Sequence, residues 1–280
     1  MPKRGTVWTE DKINRYLKEG RGQGEGSKYA PWLTIRDFPS SGRVSRVHGW
    51  TTNRIHHFMS DLETNYFYLL DWSDYITDIR EQFPLDREIT LRIAETKGIK
   101  HPIDTKSQTP VVMTSDFLLS GYRNGKEFVV VRTIKPSDKL DNPRTIAKFE
   151  IERAYWEEKG INWGIVTEKE IPKTFVNNVK WVHQALRLDG SHGVDSGNIT
   201  IYSDRLKRHL LNDKCSMRTI LNRLDEETNA PAGTFLFVLK HLIATKEVAI
   251  KMNDKFVIKN RPQDMIENIK FAVEEEKTII

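Results

Sequence analysis

Two β-rich runs, Val111–Leu119 and Phe128–Lys135, bracket the dipeptide Asn124-Gly125. A two-residue hairpin turn needs positive φ at both central positions, and Asn-Gly supplies it at the least cost. The dipeptide therefore predicts an antiparallel hairpin and also its register, with Asp116 opposite Thr133 and Thr114 opposite Lys135. Side chains alternate faces with period two, which puts Thr114, Asp116, Thr133 and Lys135 on one face. Met113, Ser115, Phe117, Arg132 and Ile134 fall on the other. A carboxylate and an ammonium then project together from neighbouring strands.

The flanking segments complete an α/β pattern. Thr9 before Glu10 and Asp11 reads as an N-cap with acids in the first turn, so a helix runs to about Glu19 and stops at Gly20. Gly20–Gly26 follows a helix and not a strand, which leaves it outside the context of a nucleotide-binding glycine loop. It reads equally as a mobile basic loop on phosphates or as a plain linker. Arg43–Val47 and Arg54–Phe58 suggest a hairpin, Ser60 opens a helix, and Ile76–Phe83 is strand-like. A short helix covers Arg87–Lys97, a four-turn helix runs from Pro143 to Lys159 and closes at Gly160, and Ile161–Thr167 is a strand. Beyond about residue 170 the character changes. Helices at Ser203–Leu211, Ser216–Leu224 and Thr234–Ala244 precede a hairpin of Val248–Lys251 with Lys255–Lys259, the parts of a winged helix. The expected architecture is thus α/β with a mixed sheet over residues 1–170, then a smaller α+β winged-helix-like domain over 171–280.

Length and charge bound the partners. A chain of 280 residues fits one large domain or two ordinary ones, and 38% hydrophobic with 30% charged residues suffices to bury a core. Mean hydropathy is −0.56 and no apolar run approaches a membrane span. The start MPKRGTVWTEDK lacks an apolar leader core, so a soluble intracellular protein is expected. The single Cys215 excludes an internal disulfide framework and any multi-cysteine zinc site. Net charge is +5, unevenly spread. Residues 1–59 hold eleven Lys/Arg against five acids, residues 60–170 come to about −4, and residues 171–280 to about +3. A basic front beside an acidic middle suits a polyanion-binding surface around a cation-binding centre, or an ordinary solvated surface.

Asp116 on one strand with Thr133-Ile134-Lys135 on the next resembles half of a PD-(D/E)xK nuclease site, and it is also what a surface ion pair looks like. A nuclease of that kind needs paired carboxylates for a hard divalent ion such as Mg²⁺, and a lysine to orient or deprotonate the attacking water. Glu63 lies in the preceding helix, where such folds supply a further acid, yet Ser60-x-x-Glu63 is equally a capping box. Glu152 follows on the next helix and by default is a solvated carboxylate. His56 and His57 are adjacent in an extended run and point to opposite faces, so they read as a packed or DNA-contacting pair and not as a chelate.

Several stretches resemble the TnsA family of transposon endonucleases. They are Lys18–Gly24 (KEGRGQG), Pro31–Thr34, Pro39–Arg43, Ser60–Glu63 and Asp78–Leu85 (DIREQFPL), with Gly98–Pro102, Thr114–Phe117, Ile134–Pro136, Glu150–Arg153 and Tyr155-Trp156. They occur in order over about residues 10–185. The resemblance implies a restriction-endonuclease-like PD-(D/E)xK domain with Glu63 and Asp116 as catalytic acids and metal ligands, and Lys135 as catalytic lysine. Glu152 matches a further acidic position. Family members often carry Gln where this chain has Thr133; a hydroxyl is the poorer metal ligand. Thr133 is therefore expected to act through water, beside the Ile134 carbonyl as a direct ligand. Mg²⁺, replaceable by Mn²⁺, is the implied cofactor.

The implied activity is cleavage of the 5′ strand ends of a transposon during cut-and-paste DNA transposition. The implied partners are double-stranded DNA at the transposon ends, a TnsB-like DDE transposase and a TnsC-like ATPase regulator. Arg15, Lys18, Arg21, Arg43 and Arg54 are the expected phosphate contacts. Two other functions stay open: a stand-alone restriction-like or junction-cleaving nuclease, and a non-catalytic DNA-binding adaptor, which Thr133 favours and intact Glu63, Asp116 and Lys135 oppose.

Overall fold

The computed structural model describes residues 7–37, 43–188 and 191–271. Lys3 and Arg4 of the basic front and Pro39–Gly42 of the quoted stretches lie outside the described residues. The chain divides into two units, Met1–Ile171 and Pro172–Ile280.

In the first unit, helix α1 (Glu10–Lys18) precedes a hairpin of β1 (Ser45–His48) and β2 (Ile55–Phe58). Helix α2 (Asp61–Trp72), strand β3 (Ile76–Pro84) and helix α3 (Arg87–Thr96) follow. Then come β4 (Thr114–Arg123), β5 (Lys126–Ile134), α4 (Pro143–Glu158) and β6 (Asn162–Val166). The strands form a mixed four-stranded sheet in the order β3-β4-β5-β6, antiparallel except for the parallel β5–β6 pair.

Asn124 and Gly125 sit at φ 52° and 78°, and the expected register runs from Arg123↔Lys126 as far as Phe117↔Arg132. Leu118 and Val131 face α4 and pack with Ile151, Tyr155 and Trp156. Phe117 faces the opposite way, stacking on Phe58 at 5.9 Å and meeting Tyr66 of α2 at 5.5 Å. The sheet is therefore covered on both faces, and each fully buried aromatic adds roughly 1.5–3 kcal/mol of apolar burial. Helix α4 forms where the sequence predicts it. Asn142 Oδ1 accepts from the Arg144 and Thr145 amides, Pro143 occupies the first turn, and Gly160 at φ 65° ends it.

The Gly20–Gly26 segment is hydrogen-bonded into the first unit and is not a plain linker. The Gly22 amide donates to Ala30 at 2.6 Å, Ala30 donates to Gln23 at 3.1 Å, and the Gly26 amide reaches Asp78 Oδ1 at 3.1 Å. A Cβ on Gly22, at φ 78°, would lie 2.2 Å from Pro84 Cγ, so glycine is what lets this loop close against β3.

A buried polar cluster joins the β1–β2 hairpin to the sheet. Glu81 on β3 accepts from Arg54 through both carboxylate oxygens at 2.8 and 2.5 Å, and lies 2.8 Å from His56 Nδ1. It also accepts the His57 amide at 3.1 Å. Arg54 reaches the Ile79 carbonyl at 2.8 Å as well, and His56 is fully buried. Burial opposes ionisation of Glu81, but His56 and Arg54 outweigh it and hold its pKa at about 2.

The second unit is built around α8 (Thr234–Ala244). Before it come α5 (Lys173–His183), α6 (Ile199–Asn212) and α7 (Met217–Glu227). Phe235, Val238, Leu239 and Leu242 of α8 are fully buried, as expected of a helix that is apolar nearly all round. Helix α5 occupies a stretch for which the sequence pattern predicts no element. Strand β7 (Val248–Ile250) pairs with β8 (Ile266–Ile269), which follows the short α9 (Pro262–Met265), and not with Lys255–Lys259. The polar groups of 252–260 are engaged elsewhere: Asn178 Nδ2 donates to the Met252 and Asp254 carbonyls, and the amides of Met217 and Arg218 bind the Asn260 and Ile258 carbonyls. Among the described residues no helix is long and apolar enough to cross a membrane.

Replacing Glu81 with Ala leaves the Arg54 guanidinium buried without its carboxylate. The variant is expected to lose about 3–5 kcal/mol of stability in urea denaturation, far more than Arg54 and Glu81 replaced together.

Candidate active site

Glu63 enters on the first turn of α2. Ser60 Oγ accepts the Glu63 amide at 3.1 Å and donates to Oε1 at 2.8 Å, while Oε2 accepts the Met59 amide at 3.0 Å. The capping box is present, with the Met59 amide in the place expected for that of Ser60. These bonds pin a carboxylate of 8% exposure at a helix N-terminus, where the dipole favours a negative charge.

Asp116 holds the sheet together where the β4–β5 ladder stops. Its Oδ2 accepts the Ile134 amide at 2.7 Å and its Oδ1 accepts from Gln82 Nε2 at 3.2 Å. Gln82 sits on β3 at φ 49° and also accepts from Thr114 Oγ1 at 3.1 Å. Gln82 lies within the stretch Asp78–Leu85 but is given no role there, because neither its left-handed backbone nor its cross-strand position shows in the sequence.

Strict alternation fails at this end of the hairpin. Ser115 and Thr133, expected on opposite faces, both donate to Glu152 Oε1, at 2.6 and 2.5 Å. Trp156 and Trp163 donate in turn to Ser115 and Thr133, at 2.8 and 3.3 Å. The Thr133 hydroxyl is thereby committed to α4 and not to Asp116. Ser115 and Phe117 are two residues apart yet contact opposite layers, because the ladder gives way to side-chain bonds at Asp116. Glu152 is not a solvated carboxylate; it is 3% exposed and serves as the acceptor beneath two strands.

Lys135 continues from β5, its amide bound to the Val166 carbonyl at 3.0 Å, and its ammonium favours ionisation of Asp116. Burial pushes the Glu63, Asp116 and Glu152 carboxyls upward, Glu152 to about 7. The charge of Asp116 adds to the rise of Glu63 and Glu152, while hydrogen bonds from Met59, Ile134 and Thr133 oppose it. Three acidic groups thus gather beside one nearby lysine, an arrangement short of positive charge. Among the described residues no group of three or more His, Cys, Asp or Glu side chains is placed to hold a metal ion.

The expected phosphate contacts divide. Arg15, Lys18 and Arg43 are exposed. Arg21 is paired with Glu19 and Asp37 at 2.8 and 2.9 Å, over the Tyr16 ring. Arg54 departs from the expectation, since it is buried on Glu81 and has no charge to offer a phosphate.

Comparison with known proteins bears on the same residues. Residues 73–168 match the family described as TnsA-like endonuclease N terminal, and residues 170–252 match TnsA endonuclease C terminal. The chain is 43% identical over 183 residues to the Transposon Tn7 transposition protein TnsA of Escherichia coli, a stretch covering 65% of this chain and 66% of that relative. The chain belongs to the TnsA family. Asp116, Lys135 and Glu152 fall inside the segment matched by the TnsA-like N-terminal family, and Glu63 lies ten residues before it.

Asp116→Asn removes one of the mutually repelling charges and keeps an oxygen for the Ile134 amide. Carboxyls raised in the folded state retain protons that the unfolded chain has released, so their stabilising effect is complete below about pH 4 and is lost as pH rises toward 8. In chelator-treated buffer the variant is expected to exceed wild type by about 1–3 kcal/mol at pH 8, with the two converging near pH 4 in pH-resolved urea denaturation.

Proposed function

We propose that this chain is a Mg²⁺-dependent DNA endonuclease that hydrolyses one strand at the ends of a transposon, leaving a 3′-hydroxyl and a 5′-phosphate. The observation that carries it is the convergence of Glu63 and Asp116, two raised carboxylates from different elements, beside Lys135. Mg²⁺ prefers oxygen ligands, takes one or two carboxylates, and fills its remaining positions with water and substrate phosphate, so an incomplete protein cage fits it. Mn²⁺ shares these preferences.

Glu63 and Asp116 would hold the ion. The Ile134 carbonyl lies on the same edge of β5 as the Ile134 amide that Asp116 binds, and would add an oxygen from that side. When bound, the ion acidifies a water and offsets the charge developing on the scissile phosphate. Lys135 orients the attacking water and neutralises the phosphate. Thr133 does its work through Glu152: the pair, with Ser115, holds β4 and β5 at the spacing that presents Asp116. Glu152 is a positioning residue and not a third ligand.

The fold is read as restriction-endonuclease-like PD-(D/E)xK in the first unit. In the second, α6–α8 with the β7–β8 pair form a winged-helix-like domain. Membership in the TnsA family supports a place in a transposition complex, with a TnsB-like DDE transposase and a TnsC-like ATPase as partners, acting in the bacterial cytoplasm.

The test is strand cleavage on transposon-end DNA with Mg²⁺ and the partner transposase. Asp116→Ala is expected to abolish cutting of the 5′ end, and Lys135→Ala to slow it by about 10²–10⁴-fold. Equal 5′-end cleavage by wild type and Asp116→Ala overturns the assignment, and efficient cutting by the chain alone favours a stand-alone nuclease.

A further inference from the structure

A groove of about 1010 Å³ lies in the first unit, lined by α1, the β1–β2 hairpin, Arg21 and the 34–37 segment. Lys12 and Arg15 of α1, Arg36 of that segment and Arg46 of β1 line it. Small-molecule pockets are mostly apolar with a few placed polar groups; this groove is dominated by cations. Its two acids do not cancel them. Asp37 already accepts from the Tyr16 hydroxyl at 2.6 Å, the Thr34 amide and hydroxyl at 2.6 and 2.7 Å, and Arg21 at 2.9 Å. Asp11 stands exposed on the first turn of α1. Among the described residues no carboxylate pairs with Lys12, Arg36 or Arg46.

His57 lines the groove and lies two residues before Met59, whose amide is bonded to Glu63, so groove and candidate site share one stretch of chain. Burial and the neighbouring arginines act in the same direction on two groups of the groove. Burial lowers the pKa of Lys12, with Arg15 and Arg21 adding to the effect and Asp37 opposing it. Burial lowers that of His57, with Arg46 and Arg36 adding to it and Glu81 opposing.

We propose that this groove seats the sugar-phosphate backbone of duplex DNA beside the cleaved bond, with Lys12, Arg36 and Arg46 each neutralising a phosphate. The proposal rests on the nuclease function and names its binding surface. It moves the grip from Arg21 and Arg54, whose charges are spent inside the protein, to three cations the sequence did not single out. The contacts are to backbone and carry no base readout. Arginine forks suit phosphate oxygens, and each neutralised phosphate releases a counterion.

The experiment is equilibrium binding of the full chain to a fluorescent duplex, followed by anisotropy across a salt series in EDTA. The triple variant Lys12→Gln, Arg36→Gln, Arg46→Gln is expected to bind at least about tenfold more weakly near physiological salt. The slope of log affinity against log salt should fall by about 0.9 per removed charge. A control triple at exposed lysines elsewhere in the unit, Lys106→Gln, Lys126→Gln, Lys169→Gln, should keep the wild-type slope, and circular-dichroism melting checks that both triples fold. An unchanged affinity and slope in the groove triple overturns the proposal, as does an equal loss in the control. A groove triple that keeps its DNA slope but loses an acidic partner protein assigns the groove to protein and overturns it too. Asp116→Asn separates the two ideas: it should bind DNA at least as tightly as wild type and fail to cut. Cutting by Asp116→Asn overturns the nuclease assignment and leaves the binding result to be judged by its own slope.

Discussion

The buried Glu81 carboxylate is the interaction on which the first unit depends. It receives Arg54, His56 and the His57 amide from the hairpin while standing on the sheet opposite Phe117. The hairpin runs through Met59 and Ser60 into α2, so whatever fixes the hairpin also fixes Glu63. Phe117 is the neighbour of Asp116 and stacks on Phe58 of the same hairpin. One ion cluster and one aromatic contact thus set the separation of two acids that lie 53 positions apart in the chain. Desolvating Arg54 and Glu81 is costly, and the cost is offset only because nearly every polar atom of the cluster has a partner.

The site itself is built in the opposite sense. Around Glu81 positive charge meets negative; around Glu63, Asp116 and Glu152 burial and mutual repulsion raise the carboxyl pKa values, with Lys135 the nearby counter-charge. Such unsatisfied charge is stored by a rigid frame, and the frame here is made of hydrogen bonds: Met59 and Ser60 on Glu63, Ile134 and Gln82 on Asp116, Ser115 and Thr133 on Glu152. A bound cation would relieve the repulsion that the protein alone leaves in place.

Local signals were strong enough to place most elements of the first unit. Asn124-Gly125 set the hairpin and its register, because the turn geometry admits few residues and a register once set propagates along the ladder. Asn142-Pro143 and Gly160 bounded α4 for equally local reasons. The register argument failed at Ser115 and Thr133, where side chains on other elements replace the ladder. In the second unit the partner of β7 was missed because 252–260 offers its carbonyls to Asn178 and to the start of α7, and no periodicity reports such bonds. The apolar stripe of α5, Val176, Val179 and Val182, is likewise defined by what packs against it and not by a local signal.

The amino-acid sequence by itself determined the chemistry available: an acid and a lysine on adjoining strands, an acid at a helix start, a basic front, and stretches that resemble TnsA proteins. Those follow from turn stereochemistry, capping and residue identity, all of which act over a few positions. Which charges are taken up in internal ion pairs was decided only by the tertiary structure. Arg54 and Arg21 were drawn into internal pairs, Lys12, Arg36 and Arg46 were left lining a groove, and Glu152 was buried under two strands instead of meeting solvent. A charge keeps or loses its availability according to what lies within a few ångströms of it, and for these residues those neighbours come from distant parts of the chain.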